Sequence, residues 1–341
     1  MTADEQPSSR PAIAVLGAGS WGTALAILLA RNGLPVRLWD RDPEQVAQLR
    51  RERENRRYLP DIRLPETIAP TSELGTALAG ADFALVVVPS AGFRSVLQQL
   101  RALAPPEFPL VWASKGLEPG SGKFLHQVVA EELPGRRAAA VLSGPSFATE
   151  VARGLPTAVT IASTDADFAR RVVELVHCPV FRAYTSEDVI GVELGGAVKN
   201  VLAIGAGISD GLGYGANARA ALITRGLAEI MRLGIRLGGR RETFMGLSGV
   251  GDLVLTCTDD QSRNRRLGLA LGRGVPLDQA VEDIGQAVEG LHTAREVERL
   301  ARSLDVDMPI TREVKGVLYD GKGAATAVDA LLARDPKPEG A

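Results

Sequence analysis

The sequence predicts an α/β fold in its first half, a doubly wound parallel sheet, and an all-helical domain in its second. Three observations carry that division. Short β-branched runs alternate with helix-patterned stretches up to about residue 186, as strands do when helical crossovers join them into a parallel sheet. Beyond that point strand-like runs nearly vanish and apolar residues recur at helical spacing. At 341 residues the chain is also long enough for two domains. The expected units are 1–188 and 189–334, with 335–341 a polar, flexible tail.

Each element has its own signal. Ala12–Leu16 is a short continuous apolar run and reads as a buried strand; Trp21–Asn32 follows as a helix ended by Gly33. Pro35–Trp39 is the second strand. Asp42–Arg53 has helical composition, with Pro43 in an early-turn position that tolerates it. Phe83–Val88 is uninterruptedly apolar, as a strand covered on both faces should be. Pro109–Ala113, Ala138–Leu142 and Ala158–Ala162 continue the series. The second half offers helices over Val189–Ile208, Ala218–Leu237, Val288–Ser303 and Ile310–Leu318, with Gly-rich breaks at 209–215 and 246–251.

Charge and composition exclude several classes. Lys+Arg is 39 and Asp+Glu 41, a formal net charge of -2, so neither nucleic acid nor an anionic membrane is expected as the main partner. Cys178 and Cys257 cannot build a disulfide framework or a four-thiolate zinc site. His126, His177 and His292 share no ligand-like spacing, so no metal and no Ser/His/Asp triad are expected. Residues 1–11 are polar and lack a signal core, and apolar stretches such as Ala24–Ala30 and Phe83–Pro89 are too short to span a bilayer. A cytoplasmic protein without an integral membrane segment is the expectation. The basic residues divide into 33 Arg and only 6 Lys. A lysine in a weakly charged, Gly-rich setting therefore calls for an explanation.

Gly17-Ala18-Gly19-Ser20-Trp21-Gly22 directly follows the first strand and opens the first helix. In that context G-x-G-x-x-G is the dinucleotide fingerprint of a Rossmann domain. Gly17 permits the tight turn, Gly19 lets a diphosphate approach the backbone, and Gly22 lets helix and strand pack closely. Asp40 closes the second strand, where an acid meets the 2′-hydroxyl of NAD; Arg41 beside it suits the 2′-phosphate of NADP. The two leave the cofactor open between NAD and NADP.

Five further stretches carry chemistry. Ser114-Lys115-Gly116 follows a strand, at the ligand-facing carboxyl end of the sheet, so Lys115 is placed to meet an anion or carbonyl; a solvated loop lysine is the alternative. Ser143-Gly144-Pro145-Ser146-Phe147-Ala148 also follows a strand and is either a ligand-facing loop or a plain turn. Lys199 lies in a helix of apolar and small residues. A desolvated ammonium there has the lowered pKa of a general acid/base, and a snorkelling lysine is the alternative. Asp252, after Gly249-Val250-Gly251, is a helix cap or a site acid. Ser262-Arg263-Asn264 opens a basic helix with a hydroxyl, a guanidinium fork and an amide, either a phosphate site or simply a capped helix.

Together, GAGSWGTAL (17–25), SKGLE (114–118), SGPSFA (143–148), LGGAVKNVLAIGAG (194–207), GLSGVGDLVLTC (246–257), SRN (262–264) and VEG (288–290) resemble the NAD(P)-dependent glycerol-3-phosphate dehydrogenases of the bacterial cytosolic type. The matches keep their order over about 270 residues. The resemblance implies a Rossmann domain and a helical domain of the 6-phosphogluconate-dehydrogenase-like kind, with the active site between them. It implies reversible hydride transfer between NAD(P)H and dihydroxyacetone phosphate, giving sn-glycerol 3-phosphate for glycerophospholipid synthesis. Lys199 would then be the proton donor or acceptor, and Lys115 would contact both substrate and cofactor. Gly144, Ser146, Asp252, Thr256, Ser262, Arg263 and Asn264 would bind substrate, Arg263 holding its phosphate. Ser20, Trp21, Arg41, Ala148, Arg263, Ala287 and Glu289 would contact the cofactor. A homodimer is a further expectation of the resemblance. Residues 51–64 carry no transferable motif. The competing readings are a dehydrogenase of hydroxy acids or 6-phosphogluconate, which the SRN and GVGDL stretches disfavour, and a nucleotide-sensing module without turnover, which would have no need of Lys115 and Lys199.

Overall fold

The structure, a computed structural model, describes residues 11–135 and 137–335; the polar start and the last six residues of the tail lie outside the described residues. The first half holds ten strands: β1 Ile13–Leu16, β2 Val36–Trp39, β3 Glu54–Asn55, β4 Leu59–Arg63, β5 Ile68–Thr71, β6 Phe83–Val86, β7 Leu110–Trp112, β8 Ala139–Ser143, β9 Thr157–Ala162 and β10 Phe181–Ser186. Its helices are α1 Ser20–Arg31, α2 Pro43–Glu52, α3 Leu74–Leu78, α4 Ser90–Leu103, α5 Leu125–Glu132, α6 Ala148–Arg153 and α7 Ala166–Val176. After Ser186 the described chain is helical: α8 Val189–Gly211, α9 Gly215–Arg236, α10 Arg241–Phe244, α11 Asp252–Thr258, α12 Arg263–Gly272, α13 Leu277–Ile284, α14 Glu289–Ser303, α15 Pro309–Tyr319 and α16 Ala324–Leu332.

Eight strands form one sheet in the order β10-β9-β8-β7-β6-β1-β2-β5. Its apolar strands are covered on both sides, and β1 shows how. Ile13 and Val15 point into a core beneath α1, α6 and α7, while Ala14 and Leu16 point into a second core beneath α3, α4 and α5.

The expectation of a wholly parallel sheet needs correction. β5 to β8 run parallel, but β9 pairs antiparallel to β8, and β10 runs parallel to β9. The cause is the connection. A parallel crossover needs a helix long enough to recross the sheet. The six residues of α6 span only about 9 Å, against about 17 Å for a five-residue strand. The chain therefore doubles straight back as β9. The eleven residues of α7 are long enough to bring β10 round parallel to β9.

α8 is the axis of the second half. It is long and apolar enough to cross a membrane by composition, yet 89% of its apolar window is buried inside the fold. It packs backbone to backbone against α12. A methyl group on Gly207 would lie 2.1 Å from the Arg265 carbonyl oxygen, and one on Gly268 would lie 2.0 Å from that of Ile204. Gly211 and Gly272 repeat the approach one turn along. Only glycine on both helices permits this spacing, and it holds the start of α12 against the middle of α8.

Candidate functional site

The Gly-rich turn between β1 and α1 has three separate roles for its glycines. Gly17 sits at φ +118, and a Cβ there would meet the Val87 carbonyl oxygen at 2.9 Å. A Cβ on Gly22 would lie 1.9 Å from the Gly17 carbonyl oxygen, so α1 approaches the turn more closely than any side chain allows. A Cβ on Gly19 would meet nothing within 4 Å. Gly19 is also the N-cap of α1, has no side-chain cap, and no acid follows in the first turn. The free N–H groups at this open helix start fit a dinucleotide's diphosphate. Ser20 begins the helix. The buried indole N–H of Trp21, next along, has no partner among the described residues.

Asp40 and Arg41 stand beside this turn at the end of β2. The Asp40 carboxylate accepts from the Ala18 backbone N–H at 3.1 Å and from that of Asp42 at 3.0 Å. Arg41 is exposed.

At the carboxyl ends of β7 and β8 the chain turns through Gly116 (φ +143) and Gly144 (φ +144). These turns aim Lys115 across the sheet edge, where its Nζ donates to the Gly144 carbonyl at 3.0 Å and to Asp252 Oδ2 at 2.8 Å. Ser146 Oγ donates to the same Gly144 carbonyl at 2.9 Å. Lys199, from the middle of α8, donates to the other Asp252 oxygen and, at 3.0 Å, to Thr256 Oγ1. Thr256 in turn donates to the Asp252 carbonyl at 2.6 Å. Two ammoniums thus share one fully buried carboxylate. Asp252 lies in the first turn of α11 but caps nothing; both its oxygens go to lysines.

Burial sets the electrostatics. Lys199 is pushed down to about 8 by loss of solvation, with Lys115 adding to the fall and Asp252 opposing it. The cluster is held from behind by close backbone packing. A Cβ on Gly195 would lie 2.1 Å from the Ser248 carbonyl oxygen, so the 246–251 turn sits directly on α8. Glu193, six residues before Lys199 on α8, is turned away from the lysines. It accepts from Trp112 Nε1 at 2.9 Å and from His126, and so ties α8 to β7 and α5.

A second cluster adjoins the first. Ser262 caps α12 by accepting from the Arg265 N–H at 3.2 Å, and Arg263 follows as its first residue. Burial pulls the Arg263 guanidinium below its ordinary range, and its one close acceptor among the described residues is Gln286 Oε1 at 3.3 Å. Asn264 donates to Asn200 Oδ1 at 3.0 Å and accepts from the Gly290 N–H at 2.9 Å, joining α12, α8 and α14. Glu289 opens α14 and accepts from the Ser90 hydroxyl at 2.7 Å; burial raises its carboxyl. A Cβ on Gly116 would lie 3.0 Å from Glu289 Oε2, which places this carboxylate beside the Lys115 turn. Ala148 begins α6, next to the Ser146 turn, and Ala287 is exposed between α13 and α14.

Sequence reasoning left out Asn200, Ser90, Asn55 and Gln286. Asn200 follows Lys199 directly and was hidden by its neighbour. Ser90 had a usable signal, since it follows a strand, as Lys115 does. Asn55, whose amide donates to the Ala18 carbonyl at 2.8 Å and to Thr23 Oγ1 at 2.7 Å, braces the Gly-rich turn from a segment without any motif.

Comparison with known proteins bears on this arrangement. The family model for the N-terminus of NAD-dependent glycerol-3-phosphate dehydrogenase matches residues 12–169, and that for its C-terminus matches 188–329. The chain is 63% identical over 331 residues to glycerol-3-phosphate dehydrogenase [NAD(P)+] of Thioalkalivibrio sulfidiphilus, covering 97% of this chain and 99% of that protein. It is 57% identical to the protein of that name from Nitrosococcus oceani, over 95% of this chain and 94% of the relative. The crystal structure of glycerol-3-phosphate dehydrogenase from Coxiella burnetii superposes with a TM-score of 0.93 at 50% identity, covering 95% of this chain and 99% of that one. With both halves matched in order and the whole length shared, the chain belongs to the NAD-dependent glycerol-3-phosphate dehydrogenase family.

Proposed function

We propose that the chain catalyses reversible reduction of dihydroxyacetone phosphate to sn-glycerol 3-phosphate with NADH or NADPH. The observation that carries this reading is the buried Lys199–Asp252–Lys115 cluster, with Lys115 following β7 at the same sheet end at which the open Gly-rich turn follows β1. The reduced nicotinamide supplies the hydride. As hydride reaches the carbonyl carbon, negative charge builds on the ketone oxygen, and the Lys199 ammonium stabilises it and gives it a proton. In the oxidative direction the neutral amine takes that proton back. A group that titrates at about 8 serves both directions near neutral pH. Asp252 keeps Lys199 charged despite burial, and Thr256 fixes its direction. Lys115 contacts both substrate and cofactor.

The same reading assigns Gly144, Ser146, Ser262 and Asn264 to the substrate. The forked Arg263 guanidinium takes its phosphate, the geometry in which arginine binds phosphate best. Ser20, Trp21, Arg41, Ala148, Ala287 and Glu289 line the cofactor. The chain divides into a cofactor unit up to 188 and a helical unit over 189–334. The product feeds glycerophospholipid synthesis, the expected role of the family, in the cytoplasm. We further propose a homodimer. Its support is that Ile235, Met245 and Val254, from three successive helical segments that pack together, are 51%, 56% and 41% exposed.

The test is oxidation of NADH and NADPH by the purified chain with dihydroxyacetone phosphate, and with keto acids in parallel. Turnover with dihydroxyacetone phosphate supports the reading. Turnover with a keto acid alone, or binding of nucleotide without any turnover, overturns it.

A further inference from the structure

The adenosine end of the cofactor cleft is built from three segments that hydrogen-bond to one another. They are the Gly-rich turn, the junction of β2 with α2, and the β3–β4 hairpin, a segment whose sequence carries no motif. Asn55 is their common node. Besides its two bonds to the Gly-rich turn, its Oδ1 accepts from Gln45 Nε2 on α2 at 2.9 Å and from the Tyr58 N–H at 3.3 Å. The hairpin turn is thereby held against the start of α2.

That turn carries two arginines, Arg56 and Arg57, and only Arg57 lies toward the start of α2. Arg57 reaches to 4.0 Å from Asp42 Oδ2, at the N-cap of α2, and its guanidinium lies over the Tyr58 ring, 5.1 Å from the centroid. The neighbouring arginines are engaged elsewhere. Arg51 pairs with Glu52, Arg56 with Glu52 and Glu54, and Arg53 bonds the Ile68 carbonyl at 3.0 Å and faces Glu66. Among the described residues the one acid paired with Arg57 is the distant Asp42, whose other oxygen caps α2 by accepting from Glu44 and Gln45. Arg41, one residue before Asp42, is exposed and takes part in no ion pair among the described residues.

Two carboxylates, Asp40 and Asp42, stand among these cations, and backbone donors orient both. Asp40 accepts from the Ala18 N–H through one oxygen and from the Asp42 N–H through the other, so both oxygens are turned to backbone donors, and it forms no ion pair with Arg41 or Arg57 among the described residues. An anion placed at the end of β2 would meet two guanidiniums and the positive end of α2. The chemical group that reaches this point in a bound dinucleotide is the substituent on the adenosine 2′ carbon.

We propose that Arg57, acting with Arg41, binds the 2′-phosphate of NADP(H) and makes this chain prefer the phosphorylated cofactor. The proposal rests on the dinucleotide-dehydrogenase reading above and adds to it a selectivity residue from the hairpin. Arg57 touches only the 2′ substituent, so its loss separates the two cofactors.

The experiment is calorimetric titration of the full chain with NADPH, NADH, 2′,5′-ADP and 5′-ADP, for the wild type, Arg57→Ala and Arg57→Lys. Wild type should bind NADPH and 2′,5′-ADP more tightly than NADH and 5′-ADP, and the margin should narrow as salt rises. Arg57→Ala should weaken NADPH and 2′,5′-ADP about tenfold, the loss of one charge-assisted contact. NADH should move less than twofold, which also reports an intact fold. Arg57→Lys should restore part of the loss. Equal weakening of NADH and NADPH, or no weakening of either, overturns the assignment of Arg57 while leaving the dehydrogenase reading in place. Wild type that binds none of the four overturns both.

Discussion

Replacing Asp252 with asparagine probes what keeps the Lys199 ammonium charged. In the wild type Lys199 is pushed down to about 8 by burial, and the Asp252 carboxylate is the main force in the other direction. Asparagine keeps the shape but removes the charge, leaving two ammoniums about a neutral amide. At an effective dielectric of about 20, a unit-charge pair 4 Å apart is worth about 4 kcal/mol. One pH unit corresponds to about 1.4 kcal/mol. Even if relaxation and water recover more than half of that energy, Lys199 must titrate at least about one unit lower. Its charged fraction at pH 8 then falls from half to about a tenth or less. The assay is the pH profile of kcat for dihydroxyacetone phosphate reduction, followed by the absorbance of reduced nicotinamide. The alkaline limb should shift toward acid by about one unit or more. NADH binding measured alongside shows whether the variant is folded. A folded variant whose alkaline limb stays near 8 refutes the coupling of Asp252 to Lys199.

Three further outcomes follow from the same structure. Arg263→Ala should raise the KM for dihydroxyacetone phosphate about 10- to 100-fold, the loss of one or two charge-assisted bonds to phosphate; steady-state kinetics with an unchanged KM would sink the phosphate role. Gly22→Ala places a methyl 1.9 Å from the Gly17 carbonyl oxygen, so α1 must retreat. Thermal unfolding should show a loss of about 1–3 kcal/mol, and NADH titration a weaker complex. Glu229 is buried beneath the start of α15, where it accepts from the Ile310 N–H at 2.6 Å and the Thr311 N–H at 3.1 Å, and burial raises its carboxyl to about 7. The folded state therefore holds a proton that the unfolded chain has released between about 4.5 and 7, and stability falls as pH rises through that window. Denaturant unfolding across that range should show a drop of roughly 3 kcal/mol that Glu229→Gln removes. A persistent drop in the variant would assign it to other groups.

Much of the site could be read from the chain because its residues follow strands or open helices, where spacing and chemistry speak together. Gly17, Gly19 and Gly22 could be given separate expectations before any geometry was known; in the structure Gly17 has a positive φ, Gly22 packs against the Gly17 carbonyl, and Gly19 faces open space. Lys199 was conspicuous as a charge within an apolar helix. Asp252 was less so, because an acid at the start of a helix has an ordinary explanation in capping. Only the tertiary packing of α11 on α8 shows that both its oxygens serve lysines. The reversal at β9 escaped notice because strand direction depends on what the connection can span, and a strand's own residues do not report it. β10 was missed because it is an edge strand, with Arg182 exposed and Tyr184 51% exposed, so its apolar pattern is diluted. The hairpin at 54–63 lacked a signal for a related reason. Its contribution comes through Asn55, one amide whose partners lie 32 and 37 residues away in the chain.

Proton transfer by Lys199 is most directly tested in Lys199→Ala, by measuring turnover with dihydroxyacetone phosphate, cofactor binding, and the effect of added small primary amines. The truncated side chain leaves room for an amine where the ammonium stood. Turnover should fall about 100- to 10,000-fold, with NADH and NADPH still bound, and rise again as methylammonium is added. Turnover near that of the wild type, with no response to the amine, would contradict the assignment of Lys199 as the group that gives the ketone oxygen its proton.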